Sequence, residues 1–423
     1  MKPRVAMWCL AALLGMLVVA SGAGGCGTEG TPAGTSAPVS SGTSVTDVPT
    51  VSTTATSRPT TTLASTTTRL DPALMLLQDL TLREKAAQVL LLAFEGTTLL
   101  PATKALLTEN PPGGLLLLAR NVTGAEQLAS LTAALQNAAV AGGSRVGLLV
   151  AADQEGGPVQ RIRYGVPSVP AARVLGQDSS PGEAARLAGE TATSLLRLGV
   201  NMNLAPVADV VSDPQSFLYR RTYAGDPTLV ADFVESVAAA YARAGLIAVV
   251  KHFPGHGSAG GNTHGEVVLS EATQTEFATT HLVPFKAAFA TGVQCVMVSH
   301  LVVKAYDPDR PASLSDAVIQ GLLREGLGFS GLVIADDLEM AGAAGSETGT
   351  AEAAQAGDIG AIAVSALEAG CDLLISTGTL DRQKQMLDAI VAAVNDGRLS
   401  RQRLDQAVLH VLALKARYGL TPP

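Results

Sequence analysis

The sequence predicts an α/β protein folded as a single (β/α)8 barrel, and three observations carry that prediction. Eight short, nearly unbroken apolar runs recur, at 88–94, 113–118, 146–152, 201–206, 246–251, 294–300, 331–335 and 371–376. Such runs suit parallel strands buried on both faces. Between them lie Ala-, Leu- and Glu-rich segments at helical spacing, such as 182–198 and 227–244, so strand and helix alternate. Polar residues also gather where the runs end. Asp153-Gln154-Glu155 follow the third run and Asp209 the fourth. Lys251-His252 end the fifth, His300 the sixth, and Asp336-Asp337 follow the seventh. Carboxyl ends of barrel strands converge on one pocket, which charged groups on scattered loops would not do. An open doubly wound sheet is the alternative, and no GxGxxG follows the first run to support it.

In chain order, residues 1–25 read as a signal peptide. MKPR is positive, and the apolar run 5–20 is too short and too close to the start for a membrane span. Ala23-Gly24-Gly25-Cys26 resembles a bacterial lipoprotein cleavage site, which implies processing before Cys26 and lipid attachment to its sulfur. Plain secretion is the alternative. Residues 26–69 then form a Ser/Thr/Pro-rich stretch that cannot bury enough surface to offset chain entropy, so a disordered tether is expected. The expectation is an exported protein, lipid-anchored on the outer face of the bacterial cytoplasmic membrane or in the cell envelope. Residues 70–423 supply the barrel.

A net charge of −8 and the lack of basic clusters argue against a nucleic-acid partner. Cys295 and Cys371 lie in apolar runs with a third run between them, so two buried thiols are expected rather than a disulfide.

The most informative stretch is 249–264, VVKHFPGHGSAGGNTH. An apolar strand ends in Lys251 and His252, breaks at Pro-Gly, and feeds a Gly-rich loop. His252, His256 and His264 are three of the six histidines in the chain. Their spacing matches no standard metal-ligand set, so neither a metal nor a cofactor is expected.

Six blocks in order now become specific together: DQEGGPVQR (153–161), NLAPVADV (203–210), RRTYAGDP (220–227), KHFPGHG (251–257), NTH (262–264) and ADDLEM (335–340). They resemble glycoside hydrolase family 3, in particular its single-domain bacterial β-N-acetylglucosaminidases of cell-wall turnover. The resemblance spans essentially the whole body and implies a retaining, two-displacement hydrolase acting on a β-linked N-acetylglucosaminide. It places the attacking carboxylate at Asp336, with Asp337 as the alternative expected to point away. It makes His264 the acid/base, paired with the residue two positions earlier.

That partner is Asn262, where the family usually has aspartate. Asn262 can accept the ring N–H but carries no charge to stabilise an imidazolium, and Glu266 is the nearest replacement for that charge. The resemblance also assigns Asp153, Arg221, Lys251 and His252 to sugar hydroxyls. Asp209 and His300 would support them, and His256 would shape the loop. Pro158 replaces an arginine common in its block.

Two rival readings stand beside this one. A Schiff-base aldolase could use Lys251, given a depressed lysine pKa. A wall-binding lipoprotein descended from a hydrolase would treat Asn262 as a mark of decay.

Overall fold

The computed structural model describes residues 72–142, 146–344 and 357–422. The expected signal peptide, lipidation site Cys26 and expected tether lie outside the described residues, which all belong to one compact unit, Thr67–Pro423.

Eight parallel strands close a barrel: β1 (Leu90–Ala93), β2 (Gly114–Leu117), β3 (Leu149–Ala152), β4 (Met202–Asn203), β5 (Ile247–Phe253), β6 (Cys295–Val298), β7 (Leu332–Ala335) and β8 (Leu373–Ser376). Each strand pairs with its neighbours in chain order. Pairing of Leu90 with Leu374 and Leu92 with Ser376 joins β1 to β8 and closes the ring.

Alternation along each strand explains the unbroken apolar runs. Leu91, Ala93, Leu149, Ala151, Ile247, Val249, Leu332 and Ile334 point inward and pack on one another. Leu90, Leu92, Val150, Ala152, Ala248, Val250, Val333 and Ala335 point outward beneath the helices. Both faces are dry along most of each strand, and polar residues enter only toward the carboxyl ends, as Asn203, Lys251, His252 and Ser376 do.

The connecting helices carry their own start and stop signals. The helix predicted at 227–244 is Pro227–Ala244. Asp226 caps it by accepting from Leu229 N at 2.8 Å, proline opens it, and Gly245 ends it at φ +82°. The helix predicted at 182–198 is Pro181–Arg197, capped by Ser180.

Several strands are shorter than the predicted runs, β6 ending at Val298 before His300, and β4 and β5 differ where the chain approaches the barrel mouth. β5 does not stop at Lys251 but runs on through His252 to Phe253, with all seven residues buried and a register shift between Val250 and Phe253. Polarity does not end the strand there because both polar side chains find buried partners inside the barrel mouth. β4 is only Met202–Asn203 within the predicted 201–206. The chain beyond it still tracks β5, since Lys251 N donates to Pro206 O at 3.1 Å and Ala208 N to Lys251 O at 2.5 Å. Cys295 and Cys371 are buried free thiols.

At the amino end of β8, Asp372 is fully buried among two arginines and a histidine. Arg324 Nη2 lies 2.7 Å from its Oδ2, Arg403 Nη2 3.0 Å from Oδ1, and His410 Nδ1 2.9 Å from Oδ2. Val333 N also donates to it at 3.1 Å. Burial pushes the carboxyl up, but His410, Arg403 and Arg324 outweigh it and hold Asp372 below its ordinary value. This carboxylate ties the helical segments Ala317–Gly326 and Arg401–Arg417 to the floor of the barrel.

Candidate functional site

At the opposite end, the carboxyl ends of the strands enclose a cavity of about 240 Å³. That is small beside the roughly 300–1,000 Å³ pockets that take drug-sized ligands, and it suits a single sugar ring. Leu116, Met297 and Ile375 form part of its apolar lining. Larger hollows exist, including one of about 590 Å³ between the helices Pro181–Arg197 and Pro227–Ala244. Among the pockets found in the described residues, only the barrel mouth gathers buried charges.

The first cluster grows from the end of β3. The chain turns into a small hairpin, Gln154–Gly156 paired with Val159–Gln160. Asp153 and Glu155, two apart, point to the same side. Lys251 from β5 reaches both: its Nζ lies 2.7 Å from Asp153 Oδ1 and 2.7 Å from Glu155 Oε1. Arg221 grips Glu155 with two bonds, Nε to Oε2 at 2.9 Å and Nη2 to Oε1 at 2.8 Å. Burial pushes Glu155 up, but Lys251 and Arg221 overturn that and hold it far below the carboxylate range.

Lys251 is only 2% exposed, and burial pulls its pKa down; Asp153 and Glu155 more than reverse this, so the ammonium is favoured. A Schiff-base amine needs the opposite, and the aldolase reading loses its support.

His252 completes this side. Its Nδ1 lies 2.7 Å from the buried Asp209 Oδ2, and its Nε2 lies 3.4 Å from Arg221 Nη2. Arginine only donates, so a singly protonated ring carries its proton on Nδ1 and offers Nε2 as acceptor. Asp209 serves a second histidine as well, accepting the backbone N–H of His256 on Oδ1 at 2.6 Å.

Asp336 follows β7 and opens on the cavity. Its Oδ1 accepts Asp337 N at 2.8 Å. Burial raises its pKa, but His252, His300, the Asp337 N–H and Lys251 prevail and keep it ionised. Asp337 also borders the cavity, yet its carboxylate is committed elsewhere: it accepts Thr377 N at 3.0 Å, the Thr377 hydroxyl, and Glu339 N at 3.2 Å. Burial pushes Asp337 up to about 6. Two adjacent aspartates are thus driven apart by their surroundings.

His264 reaches the cavity from the β5 loop. Asn262 Oδ1 accepts both its backbone N–H at 3.1 Å and ring Nδ1–H at 2.8 Å. The shared backbone contact fixes which amide atom is oxygen, so Nε2 is left for a ligand. Glu266 accepts the Asn262 N–H at 3.1 Å and is not bonded to the ring. It does not replace the charge that an aspartate would supply there. Partial burial lowers the His264 pKa, against an opposing pull from Asp336.

The fold therefore gathers Asp153, Arg221, Lys251, His252, His264 and Asp336 around one cavity, with Asn262 behind His264. His300 stays out of it, bonding Ser313 Oγ at 2.6 Å and the Asp337 carbonyl at 3.0 Å. Pro158 is exposed at the hairpin tip. Cys26 lies outside the described residues. Sequence reasoning passed over Glu155, the hub of the cationic cluster. The signal was available: Glu155 stands two residues from Asp153, on the same side of an extended segment.

Residues 81–414 match the profile of the glycosyl hydrolase family 3 N-terminal domain. A β-hexosaminidase of Nitrosomonas eutropha is 33% identical over 330 residues, covering 75% of this chain and 90% of that protein. Among solved structures, a family 3 β-N-acetylglucosaminidase from Paenibacillus sp. is 37% identical with a TM-score of 0.76. The alignment covers 81% of this chain and 63% of that one. A β-N-acetylhexosaminidase from Beutenbergia cavernae is 31% identical with a TM-score of 0.71, covering 80% of this chain and 99% of that one.

Proposed function

The chain belongs to glycosyl hydrolase family 3 and is a glycoside hydrolase of the β-hexosaminidase type; from that premise we propose that it removes terminal β-linked N-acetylglucosamine by a retaining mechanism through a glycosyl-Asp336 intermediate. The observation that supports this reading best is the pairing at the barrel mouth of an ionised Asp336 with a histidine whose Nε2 is free.

In the first step Asp336 forms a bond to the anomeric carbon while the bond to the leaving oxygen breaks. His264, protonated, delivers the Nε2 proton to that oxygen. In the second step a water attacks the same carbon, His264 takes its proton, and Asp336 departs. Asp153, Lys251 and Arg221 hold sugar hydroxyls, the ion pairs of Lys251 with Asp153 and Glu155 and of Arg221 with Glu155 fixing donors and acceptors in place before the sugar arrives. His252 presents Nε2 to the same ring.

The natural substrates in this reading are cell-wall muropeptides or related glycans. They would be met by an exported protein tethered through a lipid on Cys26. The wall-binding alternative predicts a folded protein that binds the sugar without turnover.

The test is hydrolysis of an aryl β-N-acetylglucosaminide beside the matching β-glucoside, using residues 70–423. Release from the acetamido sugar alone is expected. Equal release from both sugars removes the N-acetyl specificity, and release from neither by folded protein removes the enzymatic reading.

Asn262 makes a second prediction. Acting as the acid in glycosylation, His264 must be protonated, so kcat/KM falls as pH rises through its pKa. That pKa lies below the ordinary histidine value of 6.5, which places the alkaline limb in the acidic range. Asn262→Asp adds a negative charge against Nδ1, raises the pKa, and moves this limb upward by about one unit, with a gain of about tenfold near neutrality. An unmoved pH profile would show that the missing charge is immaterial.

A further inference from the structure

Between Asn262 and His264 sits Thr263, and its surroundings are unlike theirs. Asn262 and His264 are exposed, whereas Thr263 is buried, with 1% of its surface accessible. Its hydroxyl lies 3.0 Å from His256 Nε2, and its carbonyl accepts Gly342 N at 3.0 Å. His256 belongs to the turn after β5, and Gly342 to the turn after β7, just beyond Asp336.

Both receptors are rigidly placed. His256 is buried, and burial lowers its pKa to about 4, so its ring is neutral at ordinary pH. Its backbone N–H is fixed on Asp209, the carboxylate that also holds His252. Gly342 leaves room for the threonine only because it lacks a side chain: an added Cβ would stand 2.9 Å from Thr263 Cβ and 3.0 Å from His300 Cβ. From the β4 loop, Phe217 sets its ring edge-on to both His256, at 5.3 Å, and His264, at 6.1 Å.

We propose that Thr263 is the docking pin of the acid/base loop, and that His256 and Gly342 are its socket. The pin holds His264 over Asp336 by tying the loop to the turns that follow the histidine strand and the nucleophile strand. Thr263 is a positioning residue in this account and meets no substrate. Because Asp209 anchors both His256 and His252, the loop docks on a histidine held by the same carboxylate that orients a sugar-binding histidine. The inference rests on His264 being the acid/base.

The test compares Thr263→Val, which keeps the shape and loses the hydroxyl, with Thr263→Ser, which keeps the hydroxyl. Protonation of the leaving oxygen matters for a poor leaving group and hardly at all for a dinitrophenolate. For Thr263→Val, kcat/KM on a poor leaving group is expected to fall by about tenfold or more, with little change on the dinitrophenyl glycoside. Thr263→Ser is expected to restore most of the loss.

Equal losses on both substrates, or none on either, overturn the pin. His264→Ala run in parallel separates the two claims. If His264→Ala shows no dependence on leaving group, the acid/base assignment falls and the pin with it. If it shows that dependence and Thr263→Val does not, the pin alone falls.

Discussion

Replacing Asp336 with asparagine is expected to lower kcat/KM on every glycoside substrate by on the order of 10⁴-fold or more, with little change in stability. The amide is nearly isosteric but cannot form the ester to the anomeric carbon. Asp337 is the informative control. Its carboxylate is spent on the Thr377 backbone and hydroxyl and on Glu339 N, and burial keeps its pKa near 6. Asp337→Asn loosens the β8 loop and is expected to cost about tenfold, because it displaces Thr377 at the cavity wall without removing the proposed nucleophile, Asp336. Azide gives a second readout. In Asp336→Ala, azide is expected to occupy the space of the lost carboxylate and release an α-glycosyl azide, recovering turnover of an activated aryl glycoside. A variant in which Asp337→Asn is the inactive one, and azide rescues that position, would exchange the two aspartates.

The sequence made the barrel legible because a parallel strand buried on both faces leaves an unbroken apolar run, and all eight runs coincide with strands. Their ends were less legible. β5 continues through Lys251 and His252 because each meets a buried partner, Asp153 and Glu155 for one and Asp209 for the other. Composition cannot report a partner that arrives from another strand.

The same limit applied at the site. Asp153, Lys251 and Asp336 stood out as charges at strand ends, but Glu155 became visible as the hub only when Arg221 and Lys251 were seen to converge on it. Asp209 read as a residue just past a strand and proves to bind two histidines through one carboxylate. Asn262 was the reverse case. Its identity was plain from the start, and the structure adds that its oxygen holds His264 in one tautomer while Glu266 stays away from the ring.

Asp372→Asn is expected to be the most damaging single change to stability, at about 3 kcal/mol or more. Removing one member of a buried ion cluster costs far more than the cluster contributes net, because the remaining charges stay buried without compensation. Here Arg324 and Arg403 lose their counter-ion together. Arg324 and Arg403 are only 15% and 14% exposed, and neither can release its proton. Asparagine can still accept from one of them but supplies no charge.

The sign of the pH dependence follows from the depressed pKa. Asp372 contributes its full stabilisation above its unfolded value near 3.8 and loses it as pH falls through the lower folded value. The variant should therefore be weaker at neutral pH and lose part of the acid sensitivity of the parent. Urea unfolding at pH 7 and again well below pH 3.8 measures both, with a lowered midpoint at pH 7, an unchanged slope and a smaller difference from the parent in acid as the expected signature. The cluster lies at the floor of the barrel and the chemistry at its mouth, so activity well below the unfolding transition should be retained. Loss of activity in a folded Asp372→Asn protein, or a midpoint equal to that of the parent, would show that the two ends of the barrel are not separated in this way.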